Sequence, residues 1–305
     1  MTPDQHTLQE LMLDVGNGHQ LYVQDWGNPK VAKTIIYLHG GPGSGVSDDK
    51  KSIFNPTTQR VIFFDQRGCG RSLPYGSLEH NTTQDLVEDI SKVADACQVD
   101  SFVLTGGSWG SLLALAYALE YPSRVERMVL RGVFTGRKEE IAFIDEGGMK
   151  VFFPEAWEEY THSVPAKYRQ KPANYHFQRM FGEDEEAIQE STRAYRKLEG
   201  AVMRLDDRTR PDDPSEEFDP APGRIECHYL GEGCFLPEGY ILKNAHKLTM
   251  PIDIVQGRYD AVCPPITAYE LSKKLPNCTL NWTIAGHSGN DRANWELLKS
   301  LLARP

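Results

Sequence analysis

Apolar positions along this chain follow two rhythms, and their alternation outlines the fold. Continuous apolar runs at 34–38, 61–64, 101–104, 125–133, 251–255 and 280–284 predict strands buried on both faces of a mostly parallel sheet. Between them, helices are predicted over 83–97, 111–120, 266–275 and 290–302. The first opens on Thr82 with Asp85 three residues on, a capping box in which side chains satisfy the first free N–H groups. Near the start, the runs 11–15 and 19–25 are joined through Gly16-Asn17-Gly18, the signature of a tight hairpin. The rhythm breaks at Thr135 and resumes after Lys247. A structureless loop of that length is disfavoured in a compact domain, so the segment is expected to be an inserted, mainly helical cap. Within it, 183–190 reads as an acidic helix start, and 206–223, crowded with Pro, Asp and Arg, as an irregular loop. The expected organisation is therefore α/β: a core domain of 1–134 and 248–305, with a cap of 135–247 above the C-terminal edge of its sheet.

Composition narrows the function classes. Of 305 residues, 25% are charged and 40% hydrophobic, the balance of a soluble globular protein. The formal net charge of −10, with no Lys/Arg block, argues against nucleic acid or an anionic membrane as partner. Residues 1–10 lack the apolar core of a secretory signal, and the apolar run 112–119 is too short to cross a bilayer. Cys69, Cys97, Cys227, Cys234, Cys263 and Cys278 show no C-x-x-C spacing and read as reduced thiols. A cytoplasmic location, with neither a disulfide frame nor a zinc site, is expected.

The chemistry concentrates at strand ends. The run after 101–104 is Gly106-Gly107-Ser108-Trp109-Gly110, a Gly-x-Ser-x-Gly turn leading from strand to helix. Such a turn holds its serine in a strained conformation, exposes the hydroxyl at its tip, and needs glycines where backbones approach. Ser108 is the candidate nucleophile. His39-Gly40-Gly41-Pro42-Gly43 ends the strand 34–38 and is suited to presenting backbone N–H groups to an oxyanion. A serine also requires a base held in one tautomer by an acid. Asp260 follows the strand 251–255, and His287 follows 280–284, so the order Ser…Asp…His is that of an α/β hydrolase. Asp65, in Asp65-Gln66-Arg67-Gly68-Cys69-Gly70-Arg71-Ser72, is a rival acid, but it precedes Ser108 and the chain order favours Asp260. His39 is read as a support for its own loop.

His39 to Gly43, Asp65 to Ser72, Gly106-Gly107-Ser108-Trp109-Gly110-Ser111 and Gly257-Arg258-Tyr259-Asp260 together resemble the proline iminopeptidases, from about Leu21 to the C-terminus. The resemblance implies an α/β-hydrolase fold and a triad of Ser108, Asp260 and His287. It also implies an oxyanion hole from the N–H groups of Gly41 and Trp109. The activity implied is removal of an N-terminal proline from peptides through an acyl-enzyme, without metal or organic cofactor. Tyr195 to Ala201 and Gly223 to Tyr229 resemble family stretches whose glutamates hold the substrate's free amine, which points to Glu199 and Glu226. Phe134 and Cys263 fall where the family lines its proline pocket. Ile144, in Phe143-Ile144-Asp145-Glu146-Gly147, stands where the family commonly has a tyrosine.

The residues themselves bear on the glutamates. Ile188, Tyr195, Leu198, Val202 and Leu205 recur at near-helical spacing, which sets Glu199 at the edge of an apolar face. Glu226 lies between Ile225 and Cys227. Each is either an ion-pair partner for an arginine such as Arg196 or Arg224, or a ligand for a cation in the cleft. The scaffold also carries epoxide hydrolases and dehalogenases, whose chemistry on this fold uses an aspartate where Ser108 stands. Two alternatives to the aminopeptidase remain, an esterase for small uncharged esters and a ligand-binding protein without turnover. A peptide with a free N-terminal proline is the partner expected.

Overall fold

A computed structural model describes residues 4–31, 33–205 and 217–304. Its strands are β1 (Thr7–Gly16), β2 (His19–Gly27), β3 (Thr34–Leu38), β4 (Arg60–Phe64), β5 (Phe102–Ser108), β6 (Val125–Val133), β7 (Ile252–Gly257) and β8 (Cys278–Thr283). They form one eight-stranded sheet in the order β1-β2-β4-β3-β5-β6-β7-β8. The β1–β2 hairpin turns at Asn17 and Gly18, both with positive φ as a two-residue turn of this hand requires. β2 runs antiparallel to β1 and β4, and from β4 to β8 every neighbouring pair is parallel. The parallel strands therefore end together at one edge, where open α/β sheets place their sites.

Period-two burial explains the layers. Ile36, Leu38, Ile62, Phe64, Leu104, Leu130 and Ile254 face one core. That core is covered by α1 (Thr83–Ala96) and α2 (Trp109–Glu120). The alternate residues Ile35, Val61, Phe63, Val103, Val129 and Val255 face the other side. Both faces are buried, so the central strands read as near-continuous apolar runs rather than alternating ones. The Thr82–Asp85 capping box opens α1 as expected.

Between β6 and β7 the described residues form helices and no strand. These are α3 (Lys138–Asp145), α4 (Pro154–His162), α5 (Pro172–Met180), α6 (Glu185–Val202), α7 (Ala221–Gly231) and α8 (Tyr240–Asn244). Asp184 caps α6 through its side chain and the Ala187 N–H, at the acidic start read from the sequence. Met149, Tyr160, Leu198 and Val202 give these helices a small core of their own. Then α9 (Pro265–Ser272) packs on the α1 face and α10 (Arg292–Leu302) on the opposite one.

Four expectations need correction. β5 does not stop at Leu104 but continues through Gly106 and Gly107 to Ser108, because pairing with β6 carries the glycines. Leu205 lies beyond the end of α6 and is 45% exposed, so it is not part of that helix's apolar face. Ile284 likewise falls after β8 and is exposed. Of the loop expected over 206–223, residues 206–216 lie outside the described residues, and 221–223 are the first turn of α7.

Candidate active site

The turn from β5 into α2 holds Ser108 at φ 57° and ψ −127°, a conformation costly for a residue with a Cβ. Close packing enforces it. A Cβ on Gly110 would lie 2.3 Å from the Leu38 carbonyl oxygen on β3. The Ser111 hydroxyl donates to the Ser108 carbonyl at 2.6 Å and accepts the Phe134 N–H at 3.0 Å, tying the turn to the end of β6.

The loop ends of β7 and β8 meet beside it. Asp260 is buried, and its Oδ2 accepts from His287 Nδ1 at 2.8 Å and from Gln256 Nε2 at 3.2 Å. Its Oδ1 accepts the N–H groups of Val262 and Cys263 at 3.0 and 2.8 Å. A carboxylate only accepts, so His287 carries its proton on Nδ1 and keeps Nε2 as a base. Arg131 Nη1 donates to the His287 carbonyl. The rival Asp65 is engaged elsewhere: it accepts from the Val46 N–H and from the Arg71 N–H and Nε. His39 accepts the Gln66 N–H on Nε2 at 3.0 Å and lies 3.0 Å through Nδ1 from the Gly40 carbonyl, so it braces its own loop.

Gly41 sits at φ 107°, where a Cβ would come within 2.6 Å of the Gly43 nitrogen. Trp109 is the first residue of α2, so its N–H has no acceptor within the helix. Its indole is buried, donating to Gln66 Oε1 at 2.9 Å and packed 4.4 Å from the Tyr229 ring.

A cavity of about 320 Å³ collects these parts. Gly41, Ser108, Phe134, Cys263 and His287 line it, and so do Ile144, Tyr195, Leu198, Glu199, Glu226 and Leu230 from the helical segment. Arg224, one partner considered for the glutamates, donates Nε to the Met180 carbonyl at 2.6 Å. Arg196 is exposed and pulls on both glutamates only through space. Among the described residues, no group of His, Cys, Asp and Glu is arranged to hold a metal ion.

Residues 33–290 match the model of the alpha/beta hydrolase fold family. A probable proline iminopeptidase of Leptolyngbya boryana is 39% identical over 92% of this chain and 88% of its own length. The proline iminopeptidase of Neisseria gonorrhoeae is also 39% identical, over 92% and 90%. The chain belongs to the proline iminopeptidase family of α/β hydrolases. Among solved structures, the proline iminopeptidase of Mycobacterium smegmatis superposes with a TM-score of 0.57 at 18% identity, covering 97% and 96% of the two chains. A meta-cleavage product hydrolase of Pseudomonas fluorescens superposes with 0.61 at 19%, covering 98% and 97%. These two share the fold.

At the cavity roof, burial sets the electrostatics. Burial holds the Glu199 carboxyl above the usual range, opposed by Arg196 and His287. Burial raises Glu226 further, with the repulsion of Glu199 and Asp145 added, against a hydrogen bond from Tyr195. Asp145, beside Ile144, is pushed up to about 6 by burial and by Glu146, and its Oδ1 has no hydrogen-bond partner among the described residues. Sequence reasoning did not single out Asp145 as a charge of the site, nor Gln256 and Gln66 as braces. Its one signal was that all three adjoin the motifs that were read.

Proposed function

We propose that this protein is a serine aminopeptidase that releases N-terminal proline from peptides. The observation that carries it is the pair Glu199 and Glu226, which line the cavity of Ser108 together and repel each other there. Two carboxylates in a partly dry site require a cation, and a protonated imino group answers that need by charge-assisted hydrogen bonds. Phe134, Cys263 and Ile144 offer the apolar surface that a pyrrolidine ring buries.

In this reading His287 Nε2 takes the Ser108 proton as the hydroxyl attacks the prolyl carbonyl. Asp260 fixes the imidazole and stabilises its cation. The N–H groups of Gly41 and Trp109 receive the oxyanion. The C–N bond then breaks as His287 returns the proton to the leaving amine, and water hydrolyses the prolyl ester on Ser108. The helices of 135–247 act as a cap on the core of 1–134 and 248–305. Glu199 and Glu226 on one and Ser108 and His287 on the other line one cavity, which supports that division. Six free cysteines, five of them buried, support a cytoplasmic location.

The test compares proline 4-nitroanilide, its N-acetyl derivative and a small nitrophenyl ester. The reading expects turnover of the first and at least about 100-fold lower kcat/KM on the second, which lacks the cation. Efficient cleavage of the acetylated compound overturns the need for a free imino group, and cleavage of the ester alone makes the protein an esterase instead.

A further inference from the structure

Among the described residues, the Asp, Glu, Lys and Arg side chains lining the catalytic cavity are Glu199, Glu226, Lys50 and Arg131. They are segregated by sign. The glutamates lie on α6 and α7, and the charges acting most strongly on Glu226 are Glu199, Asp145 and Arg196. The cations lie at the other end. The Arg131 guanidinium packs on Gly107, the neighbour of Ser108, where a Cβ would come within 2.3 Å of its Nη2. Arg131 and Asp49 both act on Tyr37, which places them and the Lys50 turn in one neighbourhood. Lys50 Nζ lies 3.5 Å from Asn290 Oδ1, on the loop that carries His287.

The two cations differ in what they already hold. Lys50 is paired with Asp49 at 2.8 Å, although Asp49 does not itself line the cavity. Arg131 forms no ion pair with any carboxylate among the described residues, and its one hydrogen bond goes to the His287 carbonyl. A partly buried guanidinium beside the nucleophile is thus left with donors and charge to spare.

The leaving amine must depart on the side of His287, since His287 supplies its proton. That is the side of Asn290, Lys50 and Arg131. In a dipeptide, one Cα separates the scissile nitrogen from the terminal carboxylate, and one residue spans about 3.5 Å at most. A cation packed on the residue next to Ser108 is at that reach.

Resting on the aminopeptidase reading above, we propose that Arg131, assisted by Lys50, receives the C-terminal carboxylate of the leaving residue. The preferred substrates are then zwitterionic prolyl dipeptides, held by an anionic end at Glu199 and Glu226 and a cationic end at Arg131 and Lys50.

The test is steady-state kinetics of the intact protein on prolylalanine and prolylalaninamide, which share the imino group and differ in the carboxylate. The acid should exceed the amide in kcat/KM by at least about tenfold, the worth of one charge-assisted contact. That ratio should fall toward one in Lys50→Gln and Arg131→Gln and return in Lys50→Arg. Arg131→Gln also loosens His287, so the ratio and not the rate is read there. A wild-type ratio near one, with both compounds cleaved, overturns this inference and leaves the aminopeptidase reading standing. An acid preference unchanged in both Gln variants overturns the assignment to these residues. Cleavage of proline 4-nitroanilide without cleavage of prolylalanine overturns the inference as well. Failure on all three compounds overturns both.

Discussion

The floor and the roof of the cavity treat buried polar groups in opposite ways. On the floor, Asp260 receives four hydrogen bonds, and Gln256 and Ser111 each bridge two elements. In the helices above, Asp145 Oδ1, Tyr160 Oη, His176 Nδ1 and Ser191 Oγ have no hydrogen-bond partner among the described residues. Glu199 and Glu226 are held protonated beyond the usual carboxylate range. Chemistry at the floor needs groups fixed before substrate arrives, and satisfied hydrogen bonds fix them. Recognition at the roof needs charge that the substrate completes, and until then that charge opposes folding. On the proposed reading, the floor is stable because it is finished, and the roof binds because it is not.

This contrast predicts losses of different kinds. The largest is at Ser108: Ser108→Ala should lower kcat by at least about 10⁴ while the protein stays folded and binds substrate. Ser108→Gly, equally inactive, should be more stable than the alanine variant, since glycine tolerates φ 57°. Asp260→Asn should cost roughly 10³–10⁴ in kcat by offering His287 the wrong tautomer. Asp65→Asn, which removes the charge and one of the two acceptor oxygens that hold Val46 and Arg71, should lower Tm and spare kcat; reversed effects would make Asp65 the acid.

At the roof the sign of the stability change inverts. Glu199→Gln and Glu226→Gln should each lower kcat/KM on proline 4-nitroanilide by about tenfold or more and yet raise Tm. The pH dependence follows from their raised values. Above the ordinary carboxylate range the folded protein keeps protons that the unfolded chain has released, so stability falls as pH rises through that window. Over the same window KM should fall, because ionised glutamates hold the imino cation. Thermal melts of Glu226→Gln should show the flatter pH profile, and an unchanged profile would contradict the assignment. The smallest effect is expected at Asp145: Asp145→Asn should raise Tm modestly and move the pH dependence of KM to lower pH by relieving Glu226.

Much of the floor was legible in the sequence, because strand ends, glycines and chain order are local signals. The apolar runs of β3, β4 and β6 announced themselves, and so did the Thr82 cap and the Asn17-Gly18 hairpin. The extension of β5 through Gly106 and Gly107 was not legible, since glycine carries no strand preference and only β6 specifies the pairing. Glu199 at the edge of the α6 face was visible from the spacing of Tyr195, Leu198 and Val202. Leu205 misled because periodicity does not say where a helix ends, and α6 ends at Val202. Arg131 sits inside an apolar run, where only the register of β6 against β5 reveals that it faces Gly107. Lys50 lies in a short turn with no periodic signal, and Asp145 became significant only once its burial beside Glu226 was seen.

The central claim is that the roof glutamates are completed by the substrate's cation. Calorimetric binding of proline 4-nitroanilide to Ser108→Ala, with and without Glu226→Gln, tests it without turnover. The account predicts a Kd at least about tenfold weaker when the glutamate is replaced. Equal affinity for the two proteins would contradict it.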